Sequence, residues 1–178
     1  MYQEDLAKLT TDHLRSHIKA YLQAVDARYS GNKKVPLIVP KTIEVASVVG
    51  GMMEDFDKIL PAYGIDVTNV IAAEDAASLY SHEYQGQING LISATSKSLA
   101  DAMIKRHANA VERFVREHLF LHQPSSDYFK ILNFIAGNLE FSGAEDLGEV
   151  NNIHTWLAAF SLNVVWLTSE DGPVQHEG

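Results

Sequence analysis

Histidine pairs come closest to a recognisable chemical site in this chain. His118 and His122 lie four residues apart near the end of a predicted helix, and His13 and His17 have the same spacing. Two such rings share a helix face and could bind one zinc ion, but a site needs a third or fourth ligand. No glutamate follows His118, so the metalloprotease motif is absent. We favour structural roles for these histidines and predict no metal site.

Carboxylates are the second candidates for chemistry, and they cluster in segments rich in small polar residues. A general acid needs an apolar pocket that raises the carboxyl pKa, which such segments do not offer. A weak calcium site within Ser142–Glu149 is an alternative, although the EF-hand spacing is missing. We interpret the clusters as solvated loop acids: Glu54, Asp55 and Asp57; Glu74 and Asp75; Glu145, Asp146 and Glu149.

The sequence contains no pattern typical of a catalytic nucleophile or of a phosphate-binding loop. No serine stands in a G-x-S-x-G turn, and the chain has no cysteine. Gly50 and Gly51 follow a predicted strand, but no P-loop pattern follows them. We therefore predict that the protein is not an enzyme and has no catalytic residue and no cofactor.

Basic residues form a stripe on the second predicted helix, with acids interleaved: Lys105, Arg106, Arg113 and Arg116. This stripe is either an exposed, salt-bridged helix face or a surface that meets an acidic partner. The chain has 23 Asp and Glu against 14 Lys and Arg, a net charge of −9. Such a balance argues against specific nucleic-acid binding and against docking on an anionic membrane. The start at Met1 also lacks a signal-peptide pattern.

Large aromatic side chains share one face of the last predicted strand. This row can serve the subunit's own core, or it can anchor a subunit interface, where tryptophan is enriched among the residues that dominate binding. Both interpretations stay open. The candidate interface residues are Trp156, Phe160, Trp166, Arg113 and Arg116.

The elements that must position these residues follow from periodicity. Leu6 to Tyr29 has helical spacing, with Thr10 and Thr11 as a possible restart point. A second helix starts at Ser96 or Ser98 and runs to Leu121, and Ser98 with Asp101 resembles a capping box. Three alternating segments between the helices predict strands. The third has Gly86 and Gly90 on its apolar face, which indicates a bulge or a close approach by a helix or another backbone.

Two long strands close the chain, Tyr128–Phe141 and His154–Thr168, joined by an acidic connection over 142–153. Each would span about 45–50 Å, although a domain of this size needs strands of only about 5–6 residues. Such strands hint at assembly with another subunit. The whole predicts one α+β domain over residues 1–168, with two main helices packed on a mixed or antiparallel sheet, and a flexible polar tail over 169–178.

The order of these elements suggests a family. A helix leads to a Pro-flanked strand at Pro40-Lys41-Thr42-Ile43-Glu44-Val45, further strands precede the helix Ser98–Leu121, and two long strands follow, the last with Trp166 near its end. Over about residues 5 to 168 the chain resembles the tail-terminator (tail-completion) proteins of long-tailed bacteriophages.

The resemblance implies a homo-oligomeric ring, usually of six subunits, that ends the tail tube. Its partners would be the tail tube protein and a neck or connector protein, and it would be located in the virion after assembly in the host cytoplasm. An acidic lumen would keep passing DNA from sticking. Two alternatives stay open. One is another phage neck or head-completion component. The other is a small bacterial enzyme or ligand-binding protein, with a pocket under the Gly86–Gly90 strand that contains His82, His107, His118 or His154.

Overall fold

The protein, described by a computed structural model over residues 2–28, 35–45, 60–74, 80–117 and 129–170, folds as two helices against one five-stranded sheet. This confirms the expected single-domain α+β class. The elements in chain order are α1 (Tyr2–Arg28), β1 (Thr42–Val45), β2 (Ala62–Glu74), β3 (Tyr80–Ala94), α2 (Lys97–Glu117), β4 (Phe129–Val150) and β5 (Ile153–Glu170).

The sheet is mixed, with strand order β1-β2-β3-β5-β4. β1 runs parallel to β2, and the remaining neighbours pair antiparallel. β5 pairs with both β3 and β4, so β5 lies inside the sheet and β4 lies at its edge. The hairpin that closes the chain therefore has one inner and one outer strand.

One core joins both helices to a single face of the sheet. Leu14 and Ile18 of α1, Val111 of α2 and Ile88 and Ile92 of β3 all lie in it and are fully buried. A smaller apolar cluster lies on the other face, where Leu91 departs from the alternation of β3. It contains Leu60, Ala62 and Leu91, with Leu147, Val150, Leu157 and Ala159 packed against them.

α1 is one continuous helix of 27 residues, so the predicted restart at Thr10 and Thr11 is wrong. Each threonine hydroxyl donates to the carbonyl four residues earlier, at 2.8 Å to Leu6 and 2.7 Å to Ala7. Because these bonds satisfy both buried hydroxyls within the helix, the residues need no capping position.

α2 begins at Lys97, which agrees with the earlier of its two predicted starts, Ser96. The Ser96 hydroxyl accepts the amide hydrogen of Leu99 at 3.2 Å, so Ser96 caps the helix and Ser98 does not. The Asp101 carboxylate instead accepts the amide hydrogen of Ala144 at 2.9 Å. The acid thus ties α2 to β4. The predicted end of this helix, beyond Glu117, lies outside the described residues.

The hairpin β4–β5 is longer than the sequence predicts. The expected acidic loop over 142–153 is strand almost throughout, and the reversal takes only Asn151 and Asn152. Both have positive φ, 51° and 65°, as a two-residue type I′ turn requires, and asparagine tolerates that conformation. β5 also includes Ser169 and Glu170, which the sequence assigned to the tail, while 171–178 lie outside the described residues.

The glycines of β3 make room for aromatic rings of β5. A Cβ atom at Gly90 would collide with the ring of Phe160, and one at Gly86 would collide with the Asp66 carbonyl oxygen and the ring of Trp166. The expected close approach exists at both positions, and at Gly90 the approaching group is a side chain. These rings fill the space beside the two glycines on the core side of β3.

Candidate functional site

The aromatic row of β5 belongs mainly to the subunit's own core. Trp166 is 0% exposed, its indole N–H donates to the Thr10 hydroxyl at 3.0 Å, and its ring centroid lies 5.2 Å from that of Phe134. Phe160 is also buried. In this fold both side chains pack in the subunit's own core, where the glycines opposite them leave room for their rings. Trp156 is half-buried, and its role in an interface stays a prediction.

Arg113 and Arg116 point outward from α2. Their side chains are 51% and 56% exposed, and each forms an ion pair within the helix, with Glu117 at 4.0 Å and Glu112 at 2.8 Å. Exposed pairs of this kind contribute only about 0–1 kcal/mol. Both guanidinium groups are therefore accessible to another partner, and their role in an interface stays a prediction.

Arg106 departs from the predicted wet face of the same helix. Its side chain is only 18% exposed, and its guanidinium binds the Asp26 carboxylate at 2.9 Å and the Val35 carbonyl oxygen. Arg106 thus joins α2 to the end of α1 and to the segment before β1.

A groove of about 300 Å³ lies beside these arginines, between α1 and α2. Val25 and Ala110 supply apolar surface, and Arg106, Asn109 and Arg113 supply polar groups. Sequence reasoning found the basic stripe but not this groove, because the groove depends on how α1 packs beside α2. The arrangement suits a small apolar group flanked by negative charge.

The outer strand β4 presents both acids and apolar side chains. Among the described residues only β5 pairs with it, so its other side has no strand neighbour. Phe141 on β4 and Ile153 just after the turn are 42% and 55% exposed. The four acids of this strand are also exposed: Glu140, Glu145, Asp146 and Glu149. The predicted acidic segment is therefore a rigid strand surface rather than a loop.

His107 is a buried residue of α2. From the sequence it was only one of four histidines proposed to line the pocket of the enzyme alternative. Its Nε2 accepts the amide hydrogen of Ile38 at 3.2 Å, so the neutral ring carries its proton on Nδ1, 2.7 Å from the Tyr63 hydroxyl oxygen. Burial, with the nearby Arg106 charge, lowers the pKa of His107 to about 4. Burial likewise raises the pKa of Tyr63. Its burial has one signal in the sequence, because His107 lies four residues from both Met103 and Val111 on the apolar face of the helix.

No described group of three or more His, Cys, Asp or Glu side chains could hold a metal ion. His13 and His17 stack with ring centroids 4.0 Å apart, while His118 and His122 lie outside the described residues. Asp146, from the hypothetical calcium segment, binds His154 Nε2 at 2.8 Å and accepts the Gly148 amide hydrogen at 2.8 Å. In the described part of the chain, no helix is both long and apolar enough to cross a membrane.

A second groove, of about 250 Å³, lies on the face of the sheet that the helices leave open. Its floor is Ala159 and Ser161, between Asn89 and Leu91 on one side and Glu140 on the other. The described lining contains no histidine, so this groove does not match the pocket of the enzyme alternative.

Comparison with known proteins finds similarity among solved structures. No family model matches the sequence, and no curated protein matches it. Among solved structures, one similar chain comes from the "Virion of native gene transfer agent (GTA) particle". It is 9% identical, the alignment covers 72% of this chain and 78% of that chain, and the TM-score is 0.42.

Proposed function

We propose that this protein is a non-enzymatic structural subunit of a phage-type virion: a tail terminator that forms a ring, caps the tail tube and connects it to the head or neck. The observation that carries the proposal is the β4–β5 hairpin. Its strands of 22 and 18 residues end in an exposed tip, and its outer strand has no neighbour among the described strands.

The hairpin supports assembly because it exposes apolar side chains on a long, hydrogen-bonded strand pair. Phe141 on β4 and Ile153 at the start of β5 are exposed, although the same hairpin buries Phe160 and Trp166 in the core. Its inner part therefore stabilises the subunit, while its outer part is available to a neighbouring subunit. The order of helices and strands is also the one on which the resemblance to tail terminators rests.

The net charge of −9 is compatible with a ring through which DNA passes. Like charges on the lumen wall and on the DNA backbone repel each other, so the duplex would move without sticking. A structural role is supported by two buried polar clusters whose groups bond to one another inside the core. His107 binds Tyr63 and Ile38, and Thr10 binds Trp166.

The proposal is tested by mass and imaging. The purified protein should give about six times its monomer mass of 19.7 kDa, either alone or on tail tubes, and negative-stain images should show rings with a central hole. A monomeric mass at high concentration, together with no binding to tube ends, would overturn the proposal. A threefold or other ring would retain the class of function and change only the stoichiometry.

A further inference from the structure

The charges of this chain are segregated along its length. All 14 Lys and Arg residues lie within residues 1–130, while residues 131–178 contain seven Asp and Glu and no Lys or Arg. In the fold, this division gives the hairpin β4–β5 an acidic surface. Apart from Lys130 at the start of β4, the basic residues lie on the helices and in the segments before β4.

The tip of the hairpin combines these acids with an apolar side chain. Ile153 follows the two-residue turn and is 55% exposed, and Glu145 and Glu149 are exposed on the strand that precedes the turn. The Asp146 carboxylate holds the tip in shape through the Gly148 amide and the His154 ring, at 2.8 Å each. An ordered tip binds a partner with a smaller loss of conformational entropy than a flexible loop does.

The groove between α1 and α2 has complementary properties. Val25 and Ala110 give it apolar surface, and Arg106 and Arg113 add positive charge. Lys105, Asn109, Arg113 and Arg116 follow one another at helical spacing, so this stripe runs along the exposed side of α2 for about 16 Å.

We propose that the hairpin tip of one copy docks in the α1–α2 groove of the next copy. Ile153 contacts the apolar surface around Val25 and Ala110, and Glu149, next to the turn, faces Arg113. The proposal rests on the proposed ring and names its subunit contact. Because tip and groove are different surfaces of the same chain, the contact is heterologous, and repeating it generates a ring when the rotation closes.

Charge reversal tests this contact. Glu149→Arg and Arg113→Glu each place like charges across the contact, and each should weaken association at least about tenfold, as measured from mass against concentration. The double variant E149R/R113E exchanges the charges and should restore assembly. Ile153→Ser, which removes the apolar contact without changing charge, should also weaken assembly.

Matched controls are Glu4→Arg and Lys19→Glu, which make the same charge changes at exposed positions of α1. Both should assemble like the wild type, and all variants should unfold at the wild-type urea midpoint. If the wild type forms rings and neither E149R nor R113E affects them, or if the double variant is not restored, the docking is overturned while the ring stands. If the wild type neither assembles nor binds tube ends, the proposed function itself fails.

Discussion

The indole N–H of Trp166 donates a hydrogen bond to the hydroxyl of Thr10 at 3.0 Å, inside the core. The Thr10 hydroxyl in turn donates to the Leu6 carbonyl at 2.8 Å. This short relay joins the last strand to the first helix across almost the whole length of the sequence. It also leaves neither buried donor without an acceptor.

Thr10→Val should lower the free energy of unfolding by about 1–3 kcal/mol, because it removes the acceptor and leaves the buried indole N–H unpaired. Urea unfolding measures the loss. Thr11→Val is the matched control, since the Thr11 hydroxyl makes only a local bond to the Ala7 carbonyl. Equal losses in the two variants would contradict the role assigned to Thr10.

Trp166→Ala should destabilise the folded subunit by about 3–5 kcal/mol, because it opens a cavity in the core. Trp156→Ala, at a half-buried position on the same strand, should have a smaller effect on unfolding. Unfolding midpoints in urea and subunit mass, measured on the same samples, separate folding from assembly. A Trp166→Ala protein of normal stability that fails to assemble would return this residue to an interface.

Gly90→Ala should cost about 1–3 kcal/mol, because its Cβ atom meets the Phe160 ring in a packed core. Replacing the ring by the smaller leucine side chain, in a G90A/F160L double variant, should recover part of this loss of stability. Gly143 is the control, since a Cβ atom there meets nothing within 4 Å. Thermal or urea unfolding of the three variants gives the comparison, and a neutral Gly90→Ala would refute the tight approach.

Stability should fall on acidification because of His107. Its pKa is about 4 in the folded protein and about 6.5 in the unfolded chain, so between these values the unfolded chain binds more protons. The contribution is therefore present above pH 6.5 and is lost as pH falls towards 4, by about 3 kcal/mol at most. A protonated ring would also lose its acceptor for the Ile38 amide.

The measurement is unfolding free energy against pH for wild type and two variants. His107→Gln should be less stable at neutral pH but should lose less between pH 6.5 and 4. Thr11→Val, which alters a buried side chain that does not titrate, should keep the wild-type slope. Parallel curves for wild type and His107→Gln would show that other groups cause the pH dependence.

Alternation was sufficient to predict the faces of β3 and β5, because these inner strands keep an unbroken period of two along their whole pairing. It failed on β4. An outer strand tolerates charged and small residues on its exposed side, and four register shifts interrupt its period, so the segment around Glu145 looks like a loop in the sequence. Because the residues before it look like a loop, the Asn151–Asn152 turn was not predicted either.

The candidate site shows what periodicity cannot supply. The alternation of residues along β5 placed Phe160 and Trp166 on one face. Only the position of Gly86 and Gly90 on the neighbouring strand shows that their rings fill the core. The basic stripe was visible at Arg113 and Arg116, whereas the groove beside it depends on the packing of α1 against α2. Long-range placement of this kind has no local signal.

The unequal lengths of the paired strands have a consequence for the protein in a crowded cell. β4 fits 22 residues against the 18 of β5, and the extra residues are taken up at four irregularities along the border of the sheet. Irregular borders are poor templates for another backbone. Among the described strands β4 has only β5 as a neighbour, and its irregular edge should hinder the edge-to-edge strand pairing that leads to fibrils.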